Sequence, residues 1–127
     1  MISKDRYISF DFIGTKVQCL SYRDLYDFVE SWFQSNKSVH IAVINAYCTV
    51  MAKKNPKLSK IYSESDLSGP DGMPFVHWMS FFSKKKVNQF DATNVLIKLI
   101  EFSKIFKYGF YFYGAEQKVL KTMVQNL

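Results

Sequence analysis

Val39-His-Ile-Ala-Val-Ile-Asn-Ala46 carries an apolar run of strand length with no polar face, ending in Asn45. Strands of that kind are usually buried on both sides, as in a parallel sheet covered by helices. On its C-terminal side, Ala46 to Lys54 reads as the following helix, which runs into Asn55-Pro56. A second short helix continues from Pro56 to about Ser63. On its N-terminal side, Ser21 offers an N-cap for a helix over Tyr22 to Gln34, where Leu25, Phe28, Val29, Trp32 and Phe33 share one face. Residues 7 to 20 alternate loosely through Ile8, Phe10, Phe12, Val17 and Cys19, with Gly14-Thr15 between, and predict a short hairpin.

Beyond these elements lies Ser65-Asp-Leu-Ser-Gly-Pro-Asp-Gly-Met-Pro74. Pro70 fixes its own φ and Gly72 tolerates a backbone that other residues reach only with strain, so Asp66 to Gly72 reads as a turn that holds Asp71. Phe75 to Phe82 is rich in aromatics and reads as a helix leading into Lys84-Lys85-Lys86. Ala92 to Phe106 repeats a helical stripe through Val95, Leu96, Leu99, Ile100 and Phe102. Phe110 to Tyr113 reads as a strand ended by Gly114-Ala115, and Glu116 to Leu127 as a last helix. The alternation predicts an α/β fold, a Rossmann-like, mostly parallel sheet with flanking helices, in one domain spanning residues 1–127. Two long central strands leave such a sheet truncated, and the chain reads as the front part of something larger.

Composition narrows the classes. At 127 residues, 48% hydrophobic and 17% aromatic, the chain can bury a real core and is not disordered. No apolar run reaches the roughly 18 residues of a spanning helix, and the N-terminus lacks the apolar stretch of a signal peptide. Cytoplasmic residence is the expectation. Cys19 and Cys48 show no metal-ligand spacing and read as reduced thiols in or near the core. His40 and His77 have no Cys or carboxylate at ligand spacing and read as structural or hydrogen-bonded core residues, so no metal site is expected. The net charge of +6 comes largely from Lys53-Lys54, Lys57, Lys60 and the run at 84–86. None lies in a recognisable nucleic-acid motif, and no nucleic acid is expected as a partner. A solvated face and attraction to an anionic membrane surface stay open for these lysines.

Ligands of open α/β sheets gather at the carboxyl ends of the strands. Three places fit: Asn45, Asp71, and Gly114 after the Phe110 run. Asn45 reads equally as a hydrogen-bonding group for a sugar or as the cap of its helix. Asp71 is either a general base on a rigid turn or an ordinary turn residue. Asp91 stands where a helix begins and reads as an N-cap. Gly114-Ala115 could let a phosphate or ring approach the backbone. No Walker loop, Gly-x-Gly-x-x-Gly or Gly-x-Ser-x-Gly is present, and no cofactor is called for.

Taken in order, these segments resemble the WecG/TagA/CpsF glycosyltransferase family. Val43-Ile-Asn-Ala46 stands for its Thr-x-Asn-Ala, Asn55-Pro-Lys-Leu58 for its Asp-Pro-Glu-Leu, and Ser65-Asp-Leu-Ser-Gly-Pro-Asp-Gly72 for its Ala-Asp-Leu-Val-Leu-Pro-Asp-Gly. Lys86-Val-Asn-Gln-Phe-Asp91 takes the place of Arg-Val-x-Gly-x-Asp, and Phe112-Tyr-Gly-Ala115 that of a Leu-Leu-Gly-Gly turn. Val43, Lys86 and Gln89 depart from the pattern. The resemblance implies an enzyme that moves an N-acetylmannosamine-type sugar from a UDP-sugar donor to a polyprenyl-diphosphate-linked acceptor, in cell-surface polysaccharide or teichoic acid synthesis. It further implies a peripheral position at the inner face of the plasma membrane, with self-association open. By the same resemblance Asp71 would be the general base, with Asn45, Gly72, Asp91 and Gly114 around the substrate. The family is about twice as long as this chain, so a non-catalytic remnant or sugar-binding module of the same fold is the alternative.

Overall fold

A computed structural model describes residues 3–127. After a 3-10 turn at Lys4–Arg6, β1 (Ser9–Phe12) and β2 (Thr15–Gln18) form an antiparallel hairpin. Its tip is Ile13-Gly14, both at positive φ, the twist that a two-residue hairpin loop requires. The Asp11 carboxylate accepts the Gly14 N–H at 2.7 Å and fixes the bend. Helix α1 (Tyr22–Phe33) opens with a capping box: Ser21 Oγ accepts the Asp24 N–H, and Asp24 Oδ2 accepts the Ser21 N–H at 2.8 Å.

The next strand, β3 (Ile41–Ile44), leads into α2 (Ala46–Lys54) and α3 (Pro56–Glu64). Asn55 ends α2 and caps α3, with Pro56 in the first turn, where its missing N–H costs no helical bond. The sequence predicts a turn from Asp66 to Gly72; the structure instead holds a fourth strand there, β4 (Leu67–Pro70). It pairs parallel to β3, from Ile41 opposite Leu67 to Ile44 opposite Pro70. Glycine and proline disguise it. Gly69 is required because a Cβ built there would lie 2.3 Å from Cδ1 of the buried Phe90 ring. Pro70 closes the strand, and its carbonyl accepts the Phe90 N–H at 2.7 Å.

Helices α4 (Met73–Ser83), α5 (Ala92–Phe106) and α6 (Gln117–Gln125) complete the described chain. The result is an α/β architecture in which a parallel pair is flanked by helices. Alternation along β3 supplies both faces. Ile41 and Val43 pack on the cluster of Leu25, Phe28, Val29, Phe90 and Phe102, between α1 and α5. Ala42 and Ile44 belong to a second cluster with Val17, Val76, Met79 and Val87, between the hairpin and α4. The two layers are joined by Gln18, whose side-chain oxygen accepts the Ser68 N–H at 2.6 Å, so that the hairpin leans on β4 without extending its ladder.

Two further expectations need correction. Residues 110–113 form no strand: the backbone from 107 to 116 is irregular. β-Propensity needs a partner edge, and no strand pairs with this segment among the described residues. Phe110 and Phe112 stack on each other while Tyr111 and Tyr113 stand 89% and 93% exposed. The side chains of His40 and His77 are exposed, not in the core. His40 precedes β3 and contributes its backbone, donating its N–H to Asp66 Oδ2 at 2.8 Å and accepting the Asp66 N–H. His77 lies on α4 between the inward-facing Val76 and the outward-facing Trp78.

Candidate functional site

The parallel register carries two polar residues to one edge. Ile44 faces Pro70 in the last matched pair, so Asn45 and Asp71 come next, side by side at the carboxyl ends of β3 and β4. The Asp71 N–H donates to the Ile44 carbonyl at 2.8 Å and extends the ladder one step. That bond ties the Asp71 backbone to the sheet, while the carboxylate remains half-buried at its rim.

The two strands hand over to their helices in different ways. Asn45 is the N-cap of α2, and its Oδ1 accepts the Cys48 N–H at 2.9 Å. Its Nδ2 has no hydrogen-bond partner among the described residues and can donate outward. At the end of β4 the N-cap position falls on Gly72, at φ 98°, with no side-chain cap bond. An L side chain would be strained in that conformation. The Asp71 carboxylate is therefore not engaged by the helix it precedes. Among the described residues its hydrogen bond comes from Gln89, whose Nε2 donates to Oδ1 at 3.3 Å.

The segment Asn88–Phe90 is held in place by three bonds to residues 20–22, besides the Phe90 N–H bond to the Pro70 carbonyl. Asn88 Oδ1 accepts the Tyr22 N–H at 3.0 Å, the Tyr22 hydroxyl donates to the Gln89 carbonyl at 2.7 Å, and the Asn88 N–H donates to the Leu20 carbonyl at 2.8 Å. The start of α1 thus positions the amide that contacts Asp71. In the sequence Gln89 stands out only as a departure from a glycine; nothing in its spacing marks a contact with Asp71.

Asp91 comes two residues later as the N-cap of α5. Its Oδ1 accepts the Asn94 N–H at 3.0 Å and its Oδ2 the Asn94 side-chain amide. Both oxygens are engaged within their own helix start. Gly114, at φ 118°, lies in the irregular, exposed segment before α6. Among the described residues no hydrogen bond joins residues 109–115 to Asn45 or Asp71. The structure thus gathers Asn45, Asp71, Gly72 and Gln89 at one strand edge, sets Asp91 close by in sequence, and does not tie Gly114 to them.

A separate cleft of about 340 Å³ lies between the hairpin, α3 and the start of β4, lined by Asp11, Lys16, Tyr62, Ser65 and Ser68 among others. No motif in the sequence announces it. Burial and a contact with Cys48 push the Tyr62 hydroxyl up to about 12, so it stays protonated at neutral pH. Burial likewise raises the Cys19 thiol, which keeps it a packing group, not a nucleophile. Both cysteines are free. No group of three His, Cys, Asp or Glu side chains that could hold a metal ion occurs among the described residues. No helix among the described residues is long and apolar enough to cross a membrane.

Comparison with known proteins covers the same segments. A model of the glycosyl transferase WecG/TagA/CpsF family matches residues 10–127, from the second residue of β1 through the end of α6. No curated protein matches the chain significantly. With the match covering both strand ends and every helix, the chain belongs to the WecG/TagA/CpsF glycosyl transferase family.

Proposed function

We propose that this chain, taken as one domain over residues 1–127, transfers an N-acetylmannosamine-type sugar from a UDP-sugar to a polyprenyl-diphosphate-linked sugar. The reaction would take place at the inner face of the plasma membrane. The observation that carries this reading is the Asn45–Asp71 pair at the carboxyl edge of β3 and β4, with the Asp71 carboxylate free of the capping role taken by Gly72. Ligands of open α/β sheets bind at that edge.

The chemistry rests on a carboxylate held on a fixed backbone. Asp71 takes the proton of the acceptor hydroxyl as that oxygen attacks the anomeric carbon of the donor. The new C–O bond forms while the bond from the anomeric carbon to the diphosphate oxygen breaks, and UDP leaves with the electron pair. General-base assistance of this kind contributes about 10²–10⁴-fold. The free Nδ2 of Asn45 would donate to a sugar oxygen beside it. Gly72 would let the substrate approach the backbone, and Gln89 would orient the carboxylate through its bond to Oδ1. Asp91 and the Gly114 turn are proposed as outer substrate contacts.

A second reading, a sugar-binding module without turnover, draws support from the same geometry. Both oxygens of Asp91 are engaged by Asn94, and no lysine or arginine forms an ion pair with Asp71 among the described residues. A leaving diphosphate needs such charge or backbone donors nearby. One assay separates the two. Transfer from UDP-N-acetylmannosamine to a polyprenyl-diphosphate N-acetylglucosamine analogue is measured for the wild-type chain and for Asp71→Asn. An enzyme loses transfer on substitution; a module shows none in either form while still binding sugar.

A further inference from the structure

Buried polar side chains gather in the cleft between the hairpin, α3 and the start of β4. Thr15, Gln18, Ser65 and Ser68 are 4%, 5%, 4% and 6% exposed, and all four line it. Thr49 is the other buried polar side chain among the described residues, and its hydroxyl is engaged inside α2 by the Ala46 carbonyl. Polar groups are costly to bury unless they are paired. Three of the four in the cleft are. Ser65 Oγ donates to the Tyr62 carbonyl at 2.7 Å, Ser68 Oγ donates to the Lys16 carbonyl at 3.1 Å, and Gln18 Oε1 accepts the Ser68 N–H. Thr15 is the exception: its Oγ1 has no hydrogen-bond partner among the described residues.

The lining selects the chemistry of an occupant. Most residues around the cleft carry a hydroxyl, and none is Val, Leu, Ile, Met, Phe or Trp, so an apolar ligand has no surface to bury against. At the rim Asp11 and Lys16 stand opposite each other on the hairpin, both exposed and neither in an ion pair among the described residues. Asp5 adds a second carboxylate against the single lysine, which disfavours an anion such as a nucleoside diphosphate. A neutral sugar fits all of these groups. Its hydroxyls can donate to Asp11 and to the oxygens of Ser65 and Ser68, and can accept from Lys16 and Thr15. The volume of about 340 Å³ is at the small end of ligand pockets, which span about 300–1,000 Å³.

We infer that this cleft is a second ligand site, which takes an uncharged saccharide, at most a disaccharide, with Thr15 at its floor and Asp11 and Lys16 at its rim. It is separate from the strand edge. Ser68 precedes Asp71 by three residues on the strand, a distance of about 10 Å, and α3 meets β4 at the end opposite Asp71. The inference uses no residue of that edge and stands whether or not Asp71 transfers a sugar.

The test is an amide NMR titration of the whole chain with N-acetylglucosamine, N-acetylmannosamine, glucose, galactose, maltose and diacetylchitobiose at millimolar concentration. At least one should shift the amides of Thr15, Gln18, Ser65 and Ser68 saturably, and UDP should not displace it. Thr15→Val keeps the shape of the side chain and removes its hydroxyl, and should raise Kd about fivefold through the loss of one hydrogen bond. Asp11→Asn keeps an acceptor for the Gly14 N–H and should raise Kd about tenfold, because a charge-assisted bond becomes a neutral one. Asp71→Asn should bind within about twofold of wild type, since distant sites act independently. The site is overturned if no sugar of the series shifts the cleft amides, if the shifts fall only on Asn45 and Asp71, or if UDP competes. Wild-type affinity in Asp11→Asn, whose side chain is exposed and whose fold the same spectrum checks, overturns it as well.

Discussion

The two strand ends at the edge of the parallel pair have the same position and opposite fates. After β3 the chain places Asn45, whose side chain turns back to cap α2. After β4 it places Asp71 and then Gly72, and the glycine takes the cap position without a side chain. One extra residue separates the two solutions. At the first end the polar group is engaged by its own helix; at the second a carboxylate is left at the rim, touched by one amide from Gln89. Of the two side chains only the carboxylate can accept a proton, so the chemistry proposed above falls at the β4 end, with the β3 end beside it.

Four substitutions break or sharpen this contrast, taken from the largest expected effect on stability to the smallest. Phe90→Ala empties the fully buried ring site that backs β4 and should cost about 3–5 kcal/mol, read from the urea midpoint. Gly69→Ala approaches the same ring from the other side and should cost about 1–3 kcal/mol as Phe90 shifts off its packing. Asn45→Ala removes the α2 cap and should cost about 1 kcal/mol. Asp71→Asn caps nothing and keeps the shape of the side chain, so its stability should move by less than about 0.5 kcal/mol. Reversal of the last two values would mean that Asp71, not Asn45, is the structural residue of the pair.

Much of this is legible in the chain. Ser21 announces the start of α1, and Ala92–Phe106 matches its helical stripe to the residue, because caps and periodicity are local signals. The Val39–Ile44 run foretells a buried strand, although pairing begins only at Ile41. The strand β4 is hidden because Gly69 and Pro70 carry turn chemistry, and only the ring of Phe90, 21 residues away in sequence, explains the glycine. The Phe110–Tyr113 run misleads in the opposite direction, since aromatic β-propensity cannot supply a neighbouring edge. Asn45 and Asp71 are visible as separate candidates; their adjacency is a product of register, which a single sequence does not display. The contact from Gln89 depends on the anchoring of its loop by Tyr22, a bond spanning 67 residues.

The most direct measurement is the rate of sugar transfer from UDP-N-acetylmannosamine to the lipid-linked acceptor analogue, compared across wild type, Asp71→Asn and Asn45→Ala at equal folded fraction. A base at Asp71 supported by Asn45 predicts a fall of about 10²–10⁴-fold for Asp71→Asn and a much smaller one for Asn45→Ala. Transfer retained in Asp71→Asn would contradict the assignment of that carboxylate as the base.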